Sequence, residues 1–382
     1  MEYLIYYIFV FTLIPTALYK TYKDYITSVD KIGILLPHYK VNSLIVLSIG
    51  IYSLLLGCAY DTGQDYWHYY DYYQNQVKGA FDLWGSSREL MFQYLITFLA
   101  SVFPSHTAFF ILCAFLNGFV WVKISSLYGK AAFCVMFAWY IFMFPLSLNL
   151  YRQYIAMSLF MFAYYLFIKG YNSKINKKLC LLIIIILYLG FSFHTSMAAG
   201  LCIIILCYFL SRFTINKWYI IGTIVFITIS SNTILHDFFY SIGGLVSLFQ
   251  GVSGRGYEFQ EMLDTRWDES RMLYIIMLIH ITYIWYADKL FRKSTHLRFL
   301  YLTMALSFML IPITQQEILL RIRIYIINFL AISLGILFYE YFVRRRVQHD
   351  SIPLLFAFLI EISYNLYILY DMGTMFPLNF KF

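Results

Sequence analysis

The chain has 382 residues, 61% of them hydrophobic and only 13% charged, which leaves too little polar surface for a soluble domain of that size. The net charge of +8 does not mark a nucleic-acid binder, because the cations sit in short breaks between apolar runs and not along a basic groove. What remains is an all-α, polytopic transmembrane helical bundle.

The apolar segments, in chain order, are Tyr3–Tyr19, Val41–Gly57, Glu89–Phe103, Thr107–Val122, Ala131–Leu146, Arg152–Ile168, Leu179–Phe193, Thr195–Leu210, Trp218–Ile229, Arg271–Ala287, Phe299–Ile311, Leu320–Phe342 and Ser351–Tyr370. These predict about 13 membrane segments, within a range of roughly 11–14, several of them shorter than a typical span. Met1-Glu2-Tyr3 lacks the basic start and small-residue cleavage pattern of a secretory signal, so the first segment is expected to stay as a helix. The polar gaps are too short for a separate globular domain. Residues 1–382 therefore read as one integral membrane domain, with 58–88 and 232–268 as extracytoplasmic loops contributing to a substrate cavity. Most of the six cysteines lie inside apolar runs without ligand-like spacing, and neither metal nor cofactor is expected.

Cation-rich loops orient the chain. Lys169–Lys178, Arg212 with Lys217, Lys289–Arg298 and Arg344–Arg346 all fall inside in one register. That register puts the 149–152 turn, the His194 turn, 232–268 and 314–317 outside. The first third conflicts with it. Lys20, Lys23, Lys31 and Lys40 put their loop inside and 58–88 outside, and two full crossings would then leave Lys123–Lys130 outside as well. Either one segment within 89–122 is re-entrant, or 20–40 holds an extra membrane-dipping piece.

Five constellations carry possible chemistry. After the second span come Tyr60-Asp61 and Gly63, then Asp65, Tyr66 and Tyr69. Gly63 permits a tight turn, Asp65 can accept from sugar hydroxyls, and Tyr66 and Tyr69 can offer flat faces, although a helix cap with an interfacial aromatic belt uses the same residues. Arg152, followed by Gln153 and Ala156, opens an apolar helix, where a guanidinium must snorkel, pair or meet an anion. His194-Thr195-Ser196 lies between two close spans, where an imidazole suits a general base or a hydrogen-bond donor to a leaving group, or a merely structural contact. His106 occupies a similar Ser-His-Thr turn.

The fourth is Arg255 between Gly254 and Gly256, followed by Tyr257, with Arg266 further on; two such arginines can grip a phosphate-bearing ligand or simply face solvent. The fifth is Glu317, Arg321, Arg323 and Tyr325. Glu317 and Arg321 share a helix face and can pair, whereas Arg323 points elsewhere. Glu361 lies well inside the last span, where a contact to Asn328, Asn365 or His280 would explain it as well as a function would.

Taken in order, Gly63-x-Asp65-x-x-x-Tyr69, Glu89, Arg152-Gln153-x-x-Ala156, His194-x-Ser196, Arg255 with Tyr257, and Arg321/Arg323–Tyr325 make the chain resemble the EpsG-type branch of Wzy-like bacterial polysaccharide polymerases. The family usually carries an arginine just before its glycine–aspartate motif, whereas this chain has Asp61 after Tyr60. The resemblance implies a GT-C-like or Wzy-like architecture in the bacterial cytoplasmic (inner) membrane, with the active site facing the extracytoplasmic side. It implies a metal-independent glycosyltransferase whose donor is a glycan on a polyprenyl diphosphate, usually undecaprenyl diphosphate, and whose acceptor is one lipid-linked repeat unit. A chain-length regulator and a flippase of the same pathway are the implied protein partners. Within that frame His194, Asp65 and Arg152 are the expected catalytic residues. Arg255, Arg266, Arg321, Arg323, Tyr257, Tyr66, Tyr69 and Glu317 are expected to bind substrate or diphosphate. A flippase or transporter of the same lipid, a membrane O-acyltransferase, a glycan ligase and a structural partner of an assembly complex are the competing readings.

Overall fold

The computed structural model describes residues 2–23, 42–60, 66–78, 90–147, 151–173, 176–230, 270–313, 317–345, 348–371 and 379–380. These residues are helical apart from a two-residue pairing of Ala59–Tyr60 with Asn379–Phe380 and short turns. The helices are α1 (Glu2–Tyr22), α2 (Ser43–Gly57), α3 (Tyr66–Val77), α4 (Leu90–Val102), α5 (Thr107–Ser126), α6 (Ala132–Ser147) and α7 (Tyr151–Ser173). They continue with α8 (Lys177–Phe193), α9 (Met197–Leu210), α10 (Lys217–Ser230), α11 (Ser270–Phe291), α12 (Thr295–Leu310), α13 (Glu317–Phe338) and α14 (Ile352–Asp371). Past Phe338 the backbone widens into a π-helical turn, Tyr339–Arg344. Each apolar segment read from the sequence coincides with a helix. The exception in the other direction is α3, a helix inside a stretch expected to be loop.

Capping marks several boundaries. The side chains of Asn42, Asn176 and Ser294 accept from the backbone N–H of Leu44, Leu179 and Leu297, occupying donors that a helix start leaves without partners. Between α5 and α6 the chain turns at Gly129, whose φ of 54° suits a residue without a side chain. By length and composition, Thr107–Ser126 and Arg323–Arg344 are long and apolar enough to cross a membrane, and shorter apolar helices accompany them.

The chain divides into two compact units. The first comprises Met1–Ala198, Leu334–Arg346 and Ile362–Phe382. In it α1 packs on α2 and α6, α2 on α5, α5 on α7, and α7 on α8. Small residues permit the close approaches. A methyl group on Gly57 would lie 2.6 Å from the backbone of Ile111, and one on Gly335 would lie 2.4 Å from the Cα of Val135. Trp121 stacks on Trp139 at 5.3 Å, and the Ser158 hydroxyl donates to Asn117 across the α5–α7 seam, so the buried hydroxyl is satisfied without water. At the end of α13 the buried carboxylate of Glu340 accepts from Arg344 and Arg345 at 3.0–3.2 Å.

The second unit comprises Ala199–Ser333 and Val347–Glu361. There α10 packs on α11 and α12, and α11 on α12. Gly200 sits against Tyr325, where a methyl group would come within 2.8 Å of the tyrosine Cβ. The Ser333 hydroxyl bonds back to the carbonyls of Phe329 and Leu300.

Candidate functional site

The first unit brings several of the singled-out residues to one region. Helix α3 presents Tyr66, Tyr69, Tyr72 and Tyr73 on its buried face, spaced three or four apart as one side of a helix requires. Tyr66 stacks on Phe110 at 5.1 Å, and its hydroxyl meets His106 Nε2 at 2.8 Å. Tyr69 touches Phe92 of α4 at 5.9 Å, Phe109 of α5 at 6.0 Å and Tyr151 of α7 at 5.2 Å. The Tyr73 hydroxyl donates to the Phe103 carbonyl, and burial pushes its phenol above the usual tyrosine range. Aromatic rings thus tie α3 to the first turns of α5 and α7 and to α4.

This corrects one expectation. Tyr66 and Tyr69 were to offer their faces to a sugar, but they are 1% and 4% exposed and their rings are spent on neighbouring rings. The open side of α3 instead carries Trp67, His68 and Asp71, with Tyr70 partly covered beside His106. That face holds an indole for stacking and a carboxylate for hydroxyls.

Arg152 begins α7 beside this cluster, with its guanidinium 5.6 Å from the Phe92 ring centre. His194 ends α8, its backbone N–H still donating to Gly190. Helices α7 and α8 pack side by side across a short connection. Their register is fixed by a close approach, since a methyl group on Gly190 would lie 3.3 Å from the Ala156 carbonyl oxygen. Arg152 precedes Ala156 by four residues, and His194 follows Gly190 by four. Each therefore lies about one turn, roughly 6 Å, beyond the contact point toward the same end of the hairpin. The sequence contains both spacings, but only the packing aligns them.

The surroundings of His194 fix its tautomer. Nδ1 accepts from the backbone N–H of Ser196 at 3.3 Å and lies 2.6 Å from the Ser196 hydroxyl. A backbone N–H can only donate, so Nδ1 is the acceptor and the neutral ring carries its proton on Nε2. His106 is different: its Nε2 is committed to Tyr66, and burial lowers its pKa below the ordinary histidine value.

In the second unit, His280 lies flat on Phe308 at 3.9 Å, close enough to Arg323 for an electrostatic interaction. Glu361 is 8% exposed and acts electrostatically on Tyr283. Asn328 donates back to Ile324 on its own helix. The sequence named Asn328, Asn365 and His280 as candidate partners of Glu361, whereas Tyr283, on which Glu361 acts, was not singled out. Asp65, Arg255, Tyr257 and Arg266 lie outside the described residues, as do the side chains of Glu317 and Arg321 on α13. Among the described residues no three of His, Cys, Asp and Glu gather in a group able to hold a metal ion.

The apolar helices are those of a helical membrane protein, and its α7–α8 hairpin carries Arg152 and His194 toward one end. The EpsG family model matches residues 42–380, nearly the whole chain, and the protein belongs to the EpsG family. Membership points to a polysaccharide-polymerase-like role in polysaccharide biosynthesis. No curated protein and no solved structure matches the chain.

Proposed function

We propose that the protein is an extracytoplasmic polysaccharide polymerase that transfers a growing glycan from a polyprenyl diphosphate, of the undecaprenyl type, onto a lipid-linked repeat unit. The observation that carries this reading is the shared position of Arg152 and His194 at one end of the α7–α8 hairpin in a chain of this family. A fixed cation at a membrane edge opposes the charge that develops on a departing diphosphate, and an imidazole beside it supplies a hydrogen bond or a proton transfer. In this reading Asp65 takes the acceptor proton or binds acceptor hydroxyls. Arg255, Arg266, Arg321 and Arg323, with Tyr257 and Glu317, hold the diphosphate and its sugar. The reaction needs no metal, and a chain-length regulator and a flippase act beside it.

The orientation follows if α4 does not cross the bilayer. Three observations support that. Helix α4 is 13 residues long, about 20 Å, against a hydrocarbon core of about 30 Å. The polar helix α3, which exposes His68, Asp71 and Lys78, contacts α4 near both ends, at Phe92 and at the Phe103 carbonyl. Phe92, in the first turn of α4, also meets Phe109, in the first turn of α5. With α4 returning to the side it left, 58–88, the 149–152 turn and the His194 turn all fall outside, and Lys123–Lys130 falls inside with the later cationic loops. The protein is then a multi-pass protein of the bacterial inner membrane with its site facing outward. Single cysteines at Leu90 and Val102 should both react with an impermeant thiol reagent from the outer face; labelling from opposite faces refutes this topology.

Reconstituted protein supplied with donor and acceptor lipids on one face should lengthen the lipid-linked chains. Transbilayer movement of the lipid without chain growth would replace the polymerase with a flippase. Accumulation of lipid carrying one repeat unit in a deletion strain supports polymerisation, whereas full-length polymer lacking acyl groups supports an acyltransferase.

A further inference from the structure

We infer, resting on the polymerase reading, that His194 acts as a hydrogen-bond donor through Nε2–H to the departing diphosphate oxygen, with Ser196 as the residue that positions it. The alternative use of this histidine, as the base that strips the acceptor hydroxyl, needs a bare ring nitrogen aimed at substrate. The bare nitrogen of the neutral ring is Nδ1, and it is turned into its own turn. It accepts from the Ser196 backbone N–H at 3.3 Å and meets the Ser196 hydroxyl at 2.6 Å. A base working at Nδ1 would have to give up both contacts before it could take a proton. The local fold holds this arrangement in place. The N–H of Met197 bonds the His194 carbonyl and that of Ala198 bonds the Thr195 carbonyl, so Ser196 sits in a tight turn that opens α9. Gly190 lets Met197 close over the end of α8, since a methyl group there would lie 2.5 Å from the Met197 sulfur.

The balance of the step is simple. The acceptor hydroxyl oxygen forms a bond to the anomeric carbon, and the bond from that carbon to the diphosphate oxygen breaks with its electron pair moving onto that oxygen. The Nε2–H hydrogen bond shortens toward the oxygen as its charge grows, while the proton stays on nitrogen. The acceptor proton leaves to solvent water through a base other than His194. Donating from a fixed tautomer requires no proton inventory at His194 from one turnover to the next. This explains the pairing with Arg152: a permanent cation and a permanent N–H donor both serve the same developing negative charge.

The test uses the full-length protein in proteoliposomes. The side-chain amide of glutamine can place an N–H near the position of Nε2 but cannot act as a base. His194→Gln should therefore retain chain growth to within about tenfold, while His194→Ala loses about 100-fold or more. Ser196→Ala should lower kcat several-fold with little change in KM, and Ser196→Thr, which restores a hydroxyl, should recover it. Nitrogen-15 spectra of histidine-labelled protein, with His194→Gln as the subtraction that assigns the signal among eight histidines, should show the Nε2–H tautomer at neutral pH. A His194→Gln protein as inactive as His194→Ala, although inserted and binding lipid-linked donor, overturns the donor role, and so does an Nδ1–H signal. The spectrum reads the ring without any turnover. A wild-type protein that lacks chain growth therefore counts against the polymerase reading and is told apart from a wrong tautomer.

Discussion

The first unit contains two histidines in nearly the same local sequence setting, and their contacts differ. His106 stands in Ser105-His106-Thr107 before α5, and His194 in His194-Thr195-Ser196 before α9. Both sit in hydroxyl-rich turns between short apolar helices, where a titratable ring can reach the membrane border. His106 has Tyr66 on its Nε2 and the rings of Tyr66, Tyr70 and Phe110 around it at 4.6–6.0 Å. It ties α3 to the head of α5. His194 turns the other nitrogen inward, onto Ser196, and that choice makes its Nε2 a donor at the hairpin end that Arg152 shares. The two rings thus differ in which nitrogen is engaged and by what, Tyr66 of α3 for His106 and its own turn for His194, which the residue type and its neighbours in sequence do not reveal.

The sharpest way to break this comparison is to remove each ring in turn. His194→Ala is expected to cut chain growth about 100-fold or more while leaving insertion and donor binding near normal. His106→Ala should mainly lower thermal stability, by loosening α3, with activity falling less than tenfold in protein that stays folded. Turnover rates per folded molecule, measured beside melting curves, separate the two. Equal losses of activity would erase the distinction.

Next in size is Arg152→Lys. It keeps the charge but replaces a planar fork of donors with one ammonium, so a bidentate grip on diphosphate is lost. Chain growth should fall about 10- to 100-fold, with the larger part in kcat. An active lysine variant would mean that Arg152 supplies charge alone, or that its place above Phe92 is structural.

Much of this frame was legible beforehand. The apolar runs gave the helices, because length and hydropathy suffice where every backbone group must be satisfied within the segment. The conflict between the lysine loops of the first third was legible in the sequence, and a re-entrant α4 is the proposal that resolves it. Helix α3 was missed because its polarity disguised it. The signal was there in Tyr66, Tyr69 and Tyr73, whose spacing is that of one helix face, but tyrosine at a membrane border was read as ligand surface. The alignment of Arg152 with His194 had no sequence signature. It depends on Gly190 meeting Ala156, a contact between two helices whose individual patterns say nothing about their register.

A smaller effect separates the two histidines by pH. Burial holds the pKa of His106 below its value in the unfolded chain, so the folded state binds fewer protons there. Its contribution to stability is then present above the unfolded value, about 6.5, and is lost as pH falls from there toward the folded value. Melting temperature should drop on going from pH 7.5 to 5.5, and His106→Gln should flatten that drop. An unchanged slope would show that other groups carry the acid sensitivity.

The smallest expected change is Tyr66→Phe, and it probes the packing side of the comparison most cleanly. The substitution deletes one hydroxyl from the 2.8 Å contact with His106 Nε2 and leaves the ring stacked on Phe110 at 5.1 Å. The loss of a single hydrogen bond of this kind amounts to about 1 kcal/mol. Because Tyr66 is 1% exposed, water cannot readily replace the lost partner, and the cost should appear as a lower melting temperature. Turnover at saturating lipid should stay within about twofold, since the tyrosine hydroxyl faces a histidine and its ring faces other rings. If Tyr66→Phe instead impairs chain growth strongly with stability intact, the Tyr66–His106 pair belongs to the reacting site, and the two histidine turns share one task.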